Sequence, residues 1–254
     1  MLPALLLVDD EEEILDFLER ALEPQYTVFR ADNVPDALQI LEKEAIHLVI
    51  SDVIMPVTDG LEFCRIIKST LAFSHIPVIL LTARNTLQSK IEGLELGADA
   101  YIEKPFSKQH LLAQITSLLH NRMRMQEYFS GASPMPIKHL GYSRLDEQFL
   151  ESLNELIFQY MEKEELNVDL LAKSMNMSRP TLYRKIKMVS GMAPSEFINI
   201  TRLKKAAELL VLGQYKIYEV ALMTGFGSQS NFTRSFSRHF NITPTAYLAA
   251  KRNA

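Results

Sequence analysis

Cysteine is nearly missing from this chain of 254 residues: Cys64 stands alone. One thiol excludes both a disulfide framework and a cysteine-ligated metal site, and it points to a reducing compartment. No apolar run is long enough to span a bilayer. The apolar opening, Leu2 to Val8, is shorter than a signal-peptide core and runs straight into Asp9-Asp10-Glu11-Glu12-Glu13. The expected location is the cytoplasm. Histidine is scarce too, and none of the six pairs with another at metal-ligand spacing. What is present is a globular balance of 47% hydrophobic and 23% charged residues, which excludes disordered and fibrous classes. The length favours two domains over one.

The net charge of -4 conceals an asymmetry. Residues 1–125 carry 11 Lys and Arg against 19 Asp and Glu, whereas residues 170–254 carry 13 against Glu196, Glu208 and Glu219. An acidic front suits a cation and a basic rear suits a polyanion.

The front half alternates short apolar runs with amphipathic stretches. Leu5 to Val8, Tyr26 to Phe29, His47 to Asp52, Pro77 to Thr82 and Ala100 to Ile102 read as strands. Helices are predicted from the spacing of Ile14, Leu15, Leu18 and Leu22, of Ala37, Leu38, Ile40 and Leu41, over Leu61–Thr70, over Thr86–Leu96, and from a cap at Ser107. Five β/α units with right-handed crossovers give a doubly wound, five-stranded parallel sheet of flavodoxin-like type.

In such a sheet the strands' carboxyl ends form the ligand rim. Asp9 and Asp10 follow the first strand, Asp52 the third, Thr82 the fourth and Lys104 the fifth. One aspartate after a strand is an ordinary turn former. Five such groups on one rim are not explained that way. Clustered carboxylates repel unless a hard cation joins them, and Mg²⁺ accepts a few carboxylates while keeping water and phosphate oxygens. Asp52 is therefore the expected nucleophile toward a phosphoryl donor, with Lys104 offsetting charge and Thr82 hydrogen-bonding a phosphoryl oxygen.

Residues 4 to about 120 resemble a response-regulator receiver domain. The likeness rests on Asp9-Asp10, on Asp52-x-x-Met55-Pro56-x-x-Asp59-Gly60, on Thr82-Ala83, on Tyr101 and on Lys104-Pro105. It implies phosphorylation of Asp52 by a histidine kinase. It also implies a metal site from Asp10, Asp52 and the backbone carbonyl of Ile54, supported by Asp9, and a switch pair of Thr82 and Tyr101. The apolar residues Leu111, Ile115, Leu118, Met125 and Phe129 prolong the last helix beyond the domain, either as a dimer stripe or as core packing. Gly131 to Pro136 reads as a linker. The expected divisions are 1–122 for the receiver, 123–146 for a helical extension and linker, and 147–254 for an all-α rear domain.

After a helix predicted over Asp146–Leu166, the rear repeats itself. Val168 to Ala172 aligns with Ile217 to Ala221 at a shift of 49. Leu182-x-Arg184-x-Ile186 aligns with Phe232-x-Arg234-x-Phe236, and Gly191 with Asn241, after one inserted residue. Each copy reads as a helix-turn-helix, with Gly191 and Asn241 suited to left-handed helix ends. The polar faces are Arg179, Thr181, Tyr183, Arg184, Lys185 and Lys187 in the first copy, and Gln229, Ser230, Asn231, Thr233, Arg234 and Arg238 in the second. Arg forks onto guanine and Gln or Asn onto adenine, while Lys mostly meets phosphate.

Residues 147 to about 250 resemble the AraC/XylS family of transcription activators, on Leu182-x-Arg184, Gly225-Phe226, Phe232-x-Arg234-x-Phe236 and Thr243-Pro244-x-x-Tyr247. The resemblance implies that Ser178 caps the first recognition helix. The chain departs from the family pattern at Pro180 and Asn241. Together the halves resemble a two-component response regulator, or the cytoplasmic output half of a hybrid sensor. The expected partners are a histidine kinase, promoter DNA and a second copy of the chain, with RNA polymerase as a further candidate. Apart from its own phosphorylation chemistry, no enzymatic activity is expected. Two other readings exist. One is a Mg²⁺-dependent aspartyl-phosphate phosphatase of haloacid-dehalogenase type, although Glu11 stands where that family has a second aspartate. The other is a signalling adaptor that binds no DNA.

Overall fold

The computed structural model describes residues 2–83, 96–130, 143–163 and 165–252. They divide into two compact units, Met1–Arg124 and Met125–Ala254. In the first unit, strands β1 (Ala4–Val8), β2 (Thr27–Ala31), β3 (Leu48–Asp52), β4 (Val78–Thr82) and β5 (Ala100–Glu103) form one parallel sheet in the order β2-β1-β3-β4-β5. β4 starts one residue after the predicted Pro77, which has no N–H for the ladder, although its carbonyl accepts from the Val49 N–H at 2.9 Å.

Both faces of the sheet are buried, which is why the central strands read as unbroken apolar runs. Leu6, Val8, Val49 and Leu80 pack with Phe63, Cys64 and Ile67 on one side. Leu5, Leu7, Ile50 and Leu81 pack with Leu15, Leu18, Leu111 and Ile115 on the other. The covering helices are α1 (Glu12–Leu22), α2 (Val34–Lys43), α3 (Gly60–Ser69) and α4 (Lys108–Ser130). Asn33 caps α2 by accepting from the Asp36 N–H, and Asp59 caps α3 by accepting from the Glu62 N–H. Ser107 does the same for His110 at the start of α4, which then continues to Ser130, as the prolonged stripe predicts. The helix expected over Thr86–Leu96 falls in its greater part outside the described residues, and the Gly131–Pro136 linker lies wholly outside them.

The second unit comprises α5 (Arg144–Tyr160), α6 (Val168–Ser174), α7 (Arg179–Ser190), α8 (Pro194–Leu212), α9 (Ile217–Met223), α10 (Gln229–Phe240) and α11 (Pro244–Arg252). α5 ends six residues before the predicted Leu166, because the Lys163 and Leu166 N–H groups bond back three residues in tight turns. The repeat seen in the sequence is a repeat in space: α6 and α9 both have 7 residues, and α7 and α10 both have 12. Gly191 (φ 75°) and Asn241 (φ 56°) close α7 and α10 in the left-handed conformation expected of them. An aromatic ladder of Phe226, Phe232, Phe236 and Tyr247 fills the second copy, with successive ring centroids 5.3–5.5 Å apart. Among the described residues no helix is long and apolar enough to cross a membrane.

Candidate functional site

Strand order reverses direction between β1 and β3, and in an open α/β sheet that switch point opens a cleft at the carboxyl ends. Asp9 follows β1 and Asp52 ends β3, so both carboxylates fall at the cleft. The expected rim is realised around one lysine. Lys104 Nζ lies 2.6 Å from Asp52 Oδ1 and 3.1 Å from Asp9 Oδ2. The other oxygens of the two carboxylates are held by backbone: the Ile54 N–H donates to Asp52 Oδ2 at 2.8 Å, and the Glu11 N–H to Asp9 Oδ1 at 3.0 Å. Each carboxylate is thus fixed in rotation and keeps a lone pair toward the cleft.

Burial raises the Asp9 carboxyl above the ordinary aspartate value. The Glu11 N–H and Lys104 offset part of that, and the Asp52 charge adds to it. Burial alone would lower Lys104. Its bonds to Asp52 and Asp9, with the charges of both, outweigh that and hold the ammonium above the usual lysine range. The site therefore keeps a cation against the buried Asp52 carboxylate.

Thr82 is fully buried at the end of β4, and its carbonyl accepts from the Lys104 N–H at 2.7 Å, which ties β4 to the lysine backbone. Tyr101 is half-buried on β5, opposite Leu80 in register, with its ring against the Phe63 side of the core. Asp10 is exposed beyond β1, and Ile54 is exposed in the loop after Asp52. Among the described residues no three carboxylate, imidazole or thiol groups are gathered as a ready metal cage. Gly60 closes the loop with its N–H on the Val53 carbonyl at 2.9 Å. A Cβ there would stand 1.9 Å from the Asp52 backbone oxygen, so only glycine allows α3 to start beneath the phosphoryl-accepting candidate.

In the second unit the polar faces of α7 and α10 are largely as expected. Arg179, Tyr183 and Lys187 are exposed, and Thr181 and Arg184 are half-buried. Gln229, Ser230, Asn231, Arg234 and Arg238 are exposed, and Thr233 is half-buried. Ser178 caps α7 and Ser228 caps α10 through the N–H groups of Thr181 and Asn231. Arg179 pairs loosely with Asp169, at 3.3 Å between two exposed side chains.

Lys185 corrects the sequence reading. It does not lie on the outer face of α7: it is fully buried and ion-paired to Asp146 of α5. The signal was present, because Leu182, Lys185, Ile186 and Val189 follow the i, i+3, i+4, i+7 spacing of one inward stripe. Asp146 carries the same mark on α5, where Asp146, Phe149, Leu150 and Leu153 repeat that spacing. That the two charges meet depends on how α5 and α7 are placed, which local periodicity does not encode.

Compared with known families, residues 5–116 match the response regulator receiver domain and residues 171–250 match a helix-turn-helix domain. Histidine kinase P4 of Formosa agariphila is 38% identical over 243 residues, covering 96% of this chain and 18% of that protein. The regulatory protein VanR of Enterococcus faecium is 39% identical over 128 residues, covering 50% of this chain and 52% of that protein. Among solved structures, the signal receiver domain of a signal transduction histidine kinase from Syntrophus aciditrophicus is 33% identical. That match covers 48% of this chain and 93% of the other, with a TM-score of 0.46. The chain spans about half the length, or less, of the curated relatives it matches.

Proposed function

The chain carries a response regulator receiver domain and an AraC-type helix-turn-helix domain, the two parts of a two-component response regulator, and from that premise we propose that it moves a phosphoryl signal from a histidine kinase to promoter DNA. Asp52 takes the phosphoryl group from a phosphohistidine: the N–P bond breaks, an Asp52 Oδ–P bond forms, and the imidazole nitrogen keeps the electron pair. The observation that carries this reading is Lys104 Nζ standing between Asp52 and Asp9 at the switch point of the sheet. The ammonium is placed to offset charge that develops on the transferring group's oxygens. Thr82 donates its hydroxyl to a phosphoryl oxygen, and Tyr101 follows it inward as the second member of a switch.

The donor set fits a hard cation, since Asp9, Asp10, Asp52 and the Ile54 carbonyl offer oxygen only. Held by those residues, Mg²⁺ would supply neutralisation of the negative charge gathered at the site during phosphoryl transfer. Asp9 and Asp52 are pre-positioned by Lys104, whereas Asp10 is free to reach in from solvent.

On the output side, α7 and α10 read the major groove, with Arg179, Thr181, Tyr183, Arg184 and Lys187 in the first copy and Gln229, Ser230, Asn231, Thr233, Arg234 and Arg238 in the second. Phosphorylation raises promoter affinity through dimerisation or release of the rear domain, and RNA polymerase is the downstream partner. The match of 96% of this chain inside a histidine kinase supports a place as the output half of a hybrid sensor as well as a free regulator. Incubation with acetyl phosphate and Mg²⁺, followed by intact-mass measurement, tests the first step. One phosphoryl adduct on the wild type, lost in Asp52→Asn, is expected. An adduct undiminished in that variant would overturn the assignment.

A further inference from the structure

We propose that Lys185 and Asp146 form a positioning pair that sets the rotation and depth of α7 within the first helix-turn-helix, and so decides which bases that copy reads. This inference rests on the DNA-reading function proposed above. The Lys185 side chain is 0% exposed and that of Asp146 1%, and the two are ion-paired. The ammonium also lies 5.3 Å from the centroid of the Phe149 ring, itself buried one turn further along α5. Asp146 stands in the opening turn of α5, where its N–H donates to the Ser143 hydroxyl at 3.2 Å.

Stability does not explain the pair. Desolvating two charges offsets much of their attraction, and apolar residues of similar volume usually serve as well or better. Leu182, Ile186 and Val189 share the stripe and are fully buried, so a methionine at 185 would continue a core already present. What an ion pair adds is direction. Apolar side chains tolerate small slides and rotations, whereas a charge in a dry interior is satisfied at one place only. With Lys185 held inward, the same helix presents Tyr183 and Lys187 to solvent and leaves Arg184 at the border. A small rotation would exchange which of these faces a groove.

The repeat supplies an internal control. The residue equivalent to Lys185 in α10 is Ser235, and that helix is instead held by Phe232 and Phe236, whose rings meet edge to face. The pair therefore acts on one recognition helix and not on the other.

The test uses the full chain and duplex sites selected by the wild type from a random pool. Asp146→Leu combined with Lys185→Met removes both charges. The double variant is expected to melt at or above the wild-type temperature. It is expected to lose about tenfold in discrimination against base changes under the first copy, with discrimination under the second copy unchanged. Wild-type discrimination at both places, or equal loss at both, would overturn the proposal. Should the double variant not fold, Asp146→Glu keeps both charges and shifts the lysine, and its two discrimination values decide by the same criteria. Wild-type protein that enriches no sequence at all marks failure of the DNA-reading function itself, and the proposal falls with it.

Discussion

Lys104 reaches Asp52 across an intervening strand: its Nζ is 2.6 Å from Asp52 Oδ1, although Asp52 ends β3, Lys104 follows β5, and β4 lies between them. Two strand spacings are about 10 Å, a gap that only a long side chain bridges. The same ammonium serves Asp9, so one residue holds two carboxylates and offsets their mutual repulsion. Replacing it by methionine leaves the chain length and removes the charge. Lys104→Met is expected to slow phosphoryl uptake from acetyl phosphate by about 10²-fold. Quench-flow or intact-mass time courses measure this, and an unchanged rate would detach Lys104 from the chemistry.

Gly60 gives a second prediction. A methyl group there meets the Asp52 carbonyl oxygen at 1.9 Å and its carbon at 2.9 Å, and both are backbone atoms that cannot rotate away. Gly60→Ala is expected to destabilise the first unit by about 1–3 kcal/mol and to slow Asp52 phosphorylation by displacing its strand end. Urea unfolding of the full chain, followed by a probe on that unit, checks the first part.

Cys64 is buried beneath the sheet, and burial pushes its thiol up to about 11. Lys68 draws it down slightly. A folded-state value above the unfolded one means that the folded protein holds the proton longer. That stability is present below the unfolded thiol's range and is lost as pH rises toward 11. The loss from this group is of order 3 kcal/mol. Iodoacetamide labelling at pH 8 is expected to be slow in the native chain and fast in urea. Fast native labelling would contradict the buried, protonated thiol.

The sheet was legible because both its faces are buried, so Leu5 to Val8 and Leu48 to Ile50 are continuous apolar runs, with Asp9 directly after the first and Asp52 two residues after the second. The rim was legible because strand ends fix where Asp9, Asp52, Thr82 and Lys104 emerge. The bridging by Lys104 was not, since it depends on the relative placement of β3 and β5. The double helix-turn-helix was legible from its repeat, down to the left-handed ends at Gly191 and Asn241. The charge of Lys185 suggests an outward face, whereas its position on the Leu182, Ile186 and Val189 stripe points inward.

Arg184, half-buried at the border of the outer face of α7, and Arg234, exposed on α10, carry a prediction about specificity. Arg184→Ala and Arg234→Ala are each expected to weaken the selected site by about 1–3 kcal/mol more than random duplex. Equal losses on both duplexes in anisotropy titrations would make those residues phosphate clamps without sequence preference.

The central claim is that a phosphoryl group on Asp52 changes what the helix-turn-helix unit does to DNA. The most direct measurement is fluorescence anisotropy of the selected duplex with full-length chain, with and without acetyl phosphate and Mg²⁺. Binding about tenfold tighter after phosphorylation, with no change in Asp52→Asn, is the predicted result. Equal affinity in the two states, with the adduct confirmed by mass, would contradict the account.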